Sequence, residues 1–134
     1  MQLCDMCAIV LHDTRGIRFG IVCSTWVWIS RSSTGRSGTN VNGNATPSVL
    51  SGNRMASRVM LLWWLCAARN IWCILEQPAS SILHLQHRFQ ELIKKRTVWR
   101  TRQCLGLFGA ESPKPVVLYS NKMYIGQLGR HVVT

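Results

Sequence analysis

The chain has 134 residues, 47% of them apolar and six of them Trp, which excludes a disordered polymer and fits a single domain with one core. A chain of this length buries roughly two-thirds of the surface its unfolded form exposes. Sixteen Lys and Arg against five Asp and Glu give a formal charge of +11 and a pI near 10.3. That balance directs attention to anionic partners, of which nucleic acid is the commonest for so basic a domain, although a solvated cationic face accounts for the same count.

The N-terminal segment, residues 1–16, begins MQLCDMCAIVLHD, with an acid at Asp5 and without the basic start and long apolar core of a signal peptide. An intracellular, cytoplasmic or nuclear, setting is expected, and with it reduced thiols. Cys66, Cys73 and Cys104 fall in apolar runs, where a free thiol behaves as a small hydrophobe. Cys4 and Cys7 form a CxxC followed by His12, half of a zinc pattern with no second ligand pair at suitable spacing, so no metal is expected. Coincidence in a cysteine-rich terminus is the simpler account.

Residues 17–23 (IRFGIVC) read as a short buried strand, and residues 30–47 (SRSSTGRSGTNVNGNATP) as a polar loop. From about Pro47 to Arg69 the apolar positions Leu50, Leu61, Trp64, Leu65 and Ala68 recur at helical spacing, with Ser48 as a cap and Asn70 as a stop. Arg69 and Asn70 also break the apolar run from Val59 to Leu75 into pieces too short to cross a bilayer, so no membrane partner is expected.

Residues 71–75 (IWCIL) predict the next strand, ending at Glu76 ahead of Pro78. Ser80 or Ser81 then caps a second helix through about Arg96, with the stripe Ile82, Leu85, Phe89, Leu92 and Ile93. Val98–Leu107 is a third strand. Gly106, Gly109, Pro113 and Pro115 separate it from a final short strand, Val116–Tyr119, and residues 122–134 form a tail.

Strand, helix, strand, helix, strand is the pattern of a mostly parallel sheet with covering helices: an α/β single domain, partial and Rossmann-like, over residues 17–121. In such sheets reactive groups collect beyond the carboxyl ends of the strands, where Cys23 and Glu76 each end one. Neighbouring strands joined by a right-handed crossover set the two about 5 Å apart.

Cys23 is then a nucleophile favoured by Arg31 and Arg36, or a structural cysteine; Glu76 is a general acid raised by apolar neighbours, or a strand-end carboxylate paired with an amide or an Arg. Lys94, Lys95 and Arg96 end the second helix, where cations complement its dipole, and with Arg31, Arg36, Arg100 and Arg102 they are the candidate phosphate contacts. Trp26 and Trp28 adjoin Cys23 and could stack on a base. His84 and His87 lie three apart on the second helix, at its surface rather than on a metal.

The segments CSTWVW (23–28), RSSTGRS (31–37), GNRMASR (52–58), ILEQPASS (74–81) and GLFGAESPKPVVLYSN (106–121) resemble a group of uncharacterised proteins from algae and other protists. That group in turn resembles the later part of the catalytic domain of cytosine-C5 DNA methyltransferases. The resemblance implies Cys23 as the nucleophile toward a flipped cytosine, Glu76 as the acid at its ring nitrogen, and S-adenosylmethionine as the methyl donor.

Three positions depart from that family: Val22 stands for the proline before the cysteine, Gln77 for the asparagine after the acid, and Val116 for the threonine after Lys114-Pro115. The glycine-rich cofactor turn is also missing ahead of Cys23. The expectation is therefore a truncated or degenerate methyltransferase-like fragment, inactive alone unless a partner chain completes the sheet. The alternatives are a non-catalytic basic nucleic-acid-binding module and a gene remnant.

Overall fold

The computed structural model describes residues 28–104, 111, 115–123 and 125–126 in full, and residues 6–12 and 18–24 as strand backbone. Five strands form one sheet: β1 (Met6–His12), β2 (Arg18–Ser24), β3 (Trp72–Pro78), β4 (Trp99–Cys104) and β5 (Pro115–Ser120), in the order β1-β2-β3-β5-β4. Two helices, α1 (Pro47–Ala68) and α2 (His87–Lys95), pack on one face. Among the described residues no helix is long and apolar enough to cross a membrane.

The sheet is mixed, which corrects the expectation of a mostly parallel, Rossmann-like one. Only β2 and β3 pair in parallel; β1 pairs antiparallel with β2, and β3, β5 and β4 lie side by side antiparallel. The reason lies in connection length. The α1 crossover between β2 and β3 is long enough to return the chain in parallel, whereas residues 105–114 between β4 and β5 fall short of the dozen or so residues that such a return takes. A strand reached that way runs back antiparallel, and β5 slots between β3 and β4.

Helix α1 starts with Pro47 at its first turn and ends in a Schellman arrangement. Ile71 N–H donates to Cys66 O at 2.8 Å and Asn70 N–H to Ala67 O at 3.3 Å, with Asn70 in the left-handed region at φ 53°. Asn70 is thus the stop that the sequence suggests. The N-cap is Thr46, not Ser48.

The buried stripe of α1 is Val49, Gly52, Ala56, Val59, Met60, Trp63 and Cys66, while Leu50, Leu61 and Leu65 are exposed. The helix is apolar on several sides, so periodicity alone selects the stripe of larger leucines. Packing instead selects the side whose mixed small and large residues join the core with Trp28 and the sheet.

Helix α2 starts later than expected. Ser81 Oγ donates to Gln77 Oε1 at 2.7 Å and accepts from Leu83 N–H, opening a 3₁₀ turn at Leu83–Leu85; the α2 cap is Gln86, whose side chain accepts from Phe89 N–H at 2.9 Å. Phe89 and Leu92 are buried, with Phe89 edge-on to Tyr119 at 5.0 Å between ring centroids. Leu85 and Ile93 of the expected stripe are exposed. The core joins Trp28, the inner side of α1, Phe89 and Leu92 to Cys73, Leu75, Val117 and Tyr119 of the sheet.

Candidate nucleic-acid interface

A groove of about 420 Å³ runs between α1 and α2. Its floor and one wall are Met60, Leu61 and Trp64; its other wall is His87, Arg88, Glu91 and Lys95. The spacing that buries Phe89 and Leu92 turns positions 87, 88, 91, 94 and 95 outward, so the cations of α2 line up on its free side. On α1, Arg54 and Arg58 share the exposed stripe of Leu61 and Leu65.

Glu91 is the acid of this layer, 3.5 Å from Lys94 Nζ and 3.8 Å from Lys95 Nζ. Both pairs are solvated and worth little, about 0.3–0.5 kcal/mol each. The two lysines therefore separate from Glu91 at small cost.

Arg96 stands 5.9 Å over the Trp64 ring, a cation–π contact at the end of the groove. Arg100 and Arg102 are exposed on the edge strand β4 opposite Tyr119 and Val117, whose side chains face the helices. They extend the same charged side. His84 lies within reach of Arg100: burial first, then the charge of Arg100, lowers its pKa, against a partial rise from a hydrogen bond to the Ser81 backbone.

Five of the seven candidate phosphate contacts, Lys94, Lys95, Arg96, Arg100 and Arg102, are thus exposed on the helical side, Lys95 in the groove itself, and Arg54, Arg58 and Arg88 join them there. The period of α2 contained the signal for Arg88. That of α1 did not, because its buried side was misassigned.

Arg31 and Arg36 lie apart from this surface. Arg36 is a correction: only 2% exposed, it is the hub of the loop at residues 28–46. Its guanidinium stacks 3.6 Å from the Trp28 ring centroid and donates to Val41 O at 2.7 Å, Asn53 Oδ1 at 2.8 Å and Val49 O at 3.4 Å. Burial pulls its pKa down to about 10, which leaves it charged at neutral pH. Trp28 is buried under it, so that ring is closed to a base; Trp26 lies outside the described residues. Arg31 is exposed, and its carbonyl accepts from Thr34 and Gly35 N–H in the same loop.

Cys23 and Glu76 are direct partners in the parallel β2–β3 register. The expected rim is corrected for Glu76, because β3 runs on to Pro78 and its ladder with β5 continues through Gln77↔Val117 and Pro78↔Val116. Glu76 therefore sits within the sheet between Cys23 and Leu118, partly buried. Gln77 points to the helix side, its Nε2 donating to Glu76 O at 2.9 Å.

Cys66 and Cys73 are buried free thiols in mutual hydrogen-bond contact, and burial pushes that of Cys73 far up. The Cys4, Cys7 and His12 side chains lie outside what is described. Among the described residues no three His, Cys, Asp or Glu gather to hold a metal ion.

S-adenosylmethionine, the cofactor the resemblance implies, finds no strand-to-helix turn between β1 and β2. The strand ahead of β2 is β1, a hairpin partner across residues 13–17, a connection too short to hold the strand-to-helix turn that such a cofactor takes. Compared with protein-family models, curated proteins and solved structures, the chain matches none.

Proposed function

We propose that this chain is a non-catalytic nucleic-acid-binding module that uses its helical side. The observation that carries the reading is the charge of the helical side: Arg88 and Lys95 line the groove with Glu91 as its one acid, and Arg54, Arg58, Lys94, Arg96, Arg100 and Arg102 are exposed on α1, on and just after α2, and on β4. A basic channel with an aromatic wall suits a single strand, since cations follow the backbone and a ring accepts any base. Trp64 is the partly exposed ring of that wall.

The test is a titration of a labelled single-stranded oligonucleotide at several salt concentrations. The logarithm of affinity falls with log salt at about 0.7 per phosphate neutralised. The double variant Arg88→Ala/Lys95→Ala is expected to lower that slope by about 1.4. A salt-independent signal, or a slope unchanged in the double variant, overturns the reading.

A second reading is favoured by the Cys23–Glu76 register, which sets a thiol-bearing and a carboxylate-bearing residue side by side on parallel strands. In it the chain is a degenerate relative of cytosine-C5 methyltransferases, inactive as it stands. Tritium transfer from S-adenosylmethionine to DNA that disappears on Cys23→Ser would show the inactivity to be mistaken.

A further inference from the structure

We propose that a second cavity, beside the groove, is a binding site for a phosphate monoester. It measures about 190 Å³ and lies where the end of α1, the α2–β4 connection and the residues after β5 meet. Arg96 and Thr97 approach it from one side, Asn70, Asn121 and Lys122 from the other, and Trp63 forms the inner wall.

Two observations point to an anion. First, none of the segments that build the cavity, residues 59–75, 92–104 and 115–123, contains an Asp or Glu, so two cations converge on a space with no counter-charge among them. The groove differs in this respect, because Glu91 lines it.

Second, the wall is set in place by hydrogen bonds that leave donors over. Asn121 Oδ1 accepts from Cys73 N–H at 2.9 Å and its Nδ2 donates to Ile71 O at 2.8 Å, tying the end of β5 to the start of β3. Lys122 Nζ donates to Asn70 Oδ1, which the left-handed backbone of Asn70 presents. An ammonium has three donors, so two remain. Arg96 meets only the face of Trp64 among the described residues, which leaves the edges of its fork unused.

Trp63 Nε1 is the one buried side-chain nitrogen or oxygen among the described residues that lacks a hydrogen-bond partner. Trp63 also lines the cavity, which makes its indole a reporter of what binds there.

Charge selects among anions. A carboxylate brings one negative charge, whereas a phosphate monoester brings about 1.5–2 at neutral pH, with three terminal oxygens for an arginine fork, an ammonium and a hydroxyl. The dianion is the better match to Arg96 and Lys122.

The experiment is a ¹H–¹⁵N titration of the whole chain that follows the Trp63 indole. Inorganic phosphate, acetate, and one dinucleotide with and without a 5′-phosphate are the probes. Phosphate and the 5′-phosphorylated dinucleotide are expected to move the Trp63 signal saturably, with acetate and the dephosphorylated dinucleotide leaving it in place. Arg96→Gln and Lys122→Met, both surface changes, are each expected to weaken binding about tenfold.

Tighter binding of the 5′-phosphorylated dinucleotide than of phosphate assigns the site to a strand end; equal binding assigns it to a free phosphate group. Equal shifts with acetate, or a phosphate shift retained in both variants, overturn the proposal. Arg88→Ala/Lys95→Ala, which touches only the groove, leaves the phosphate titration unchanged, so failure of the helical-side reading is told apart from failure of this one.

Discussion

Arg36 and Arg88 carry the same charge on the same side chain, and the fold uses them in opposite ways. Arg36 is sealed inside the loop at residues 28–46, its donors shared among Val41, Val49 and Asn53 and its plane against Trp28. Arg88 stands exposed on the wall of the groove between α1 and α2. A desolvated guanidinium is tolerated only where hydrogen bonds replace water, so Arg36 is bound up with stability; an exposed one contributes little to stability and remains available to a partner. The formal charge of +11 is therefore a mixture of framework and surface.

The sharpest way to break this contrast is Arg36→Met, which removes the hub and deprives the Val41 carbonyl and Asn53 Oδ1 of their charged donor. A loss of about 3 kcal/mol in chemical denaturation is expected. Gly43→Ala comes next: at φ 71° its new Cβ would meet Thr34 O at 2.4 Å, and about 2 kcal/mol should be lost. Thr34→Val deletes a hydroxyl that donates to Ile29 O and Arg31 O and accepts from Arg36 N–H, for about 1 kcal/mol by the same measurement.

A smaller effect concerns His84, where a surface charge reaches a packed group. Its folded pKa lies below the unfolded 6.5, so the unfolded chain takes up the proton first and stability falls as pH drops through the unfolded value. The decrease in Tm on acidification from about pH 7 to about pH 5 should shrink in His84→Gln. Lys94→Ala closes the series: its stability change should stay within about 0.5 kcal/mol, and a larger one would dissolve the distinction between the two kinds of cation.

Much of the element sequence was legible. β2, α1, β3 and β5 follow from β-branched runs, helical spacing and the Asn70 stop, and their bounds lie within a few residues of the expected ones. What local pattern could not carry was direction and facing. β5 reads as a strand whichever way it runs, and its orientation is fixed by the short connection from β4. The α1 leucines fit a helical period as well as the buried stripe does, and only packing of Ala56, Val59, Met60, Trp63 and Cys66 into the shared core decides between them.

For the candidate interface, the cluster from Lys94 to Arg102 was visible as a charge run. The burial of Arg36 was not, because its partners Val41, Val49 and Asn53 are brought to it only when the loop closes. Glu76 ends the apolar run in sequence but not the strand in space, since pairing with Leu118 carries the ladder past it.

The insertion of β5 between β3 and β4 also has a consequence for biosynthesis. β5 leaves the ribosome after β3 and β4 yet fills the place between them, so β4 has no lateral neighbour and β3 keeps one open edge until Ser120 has emerged. During that interval both edges of β4 and one edge of β3 stand unpaired at once, which makes a nascent chain stalled short of residue 115 prone to join itself to another.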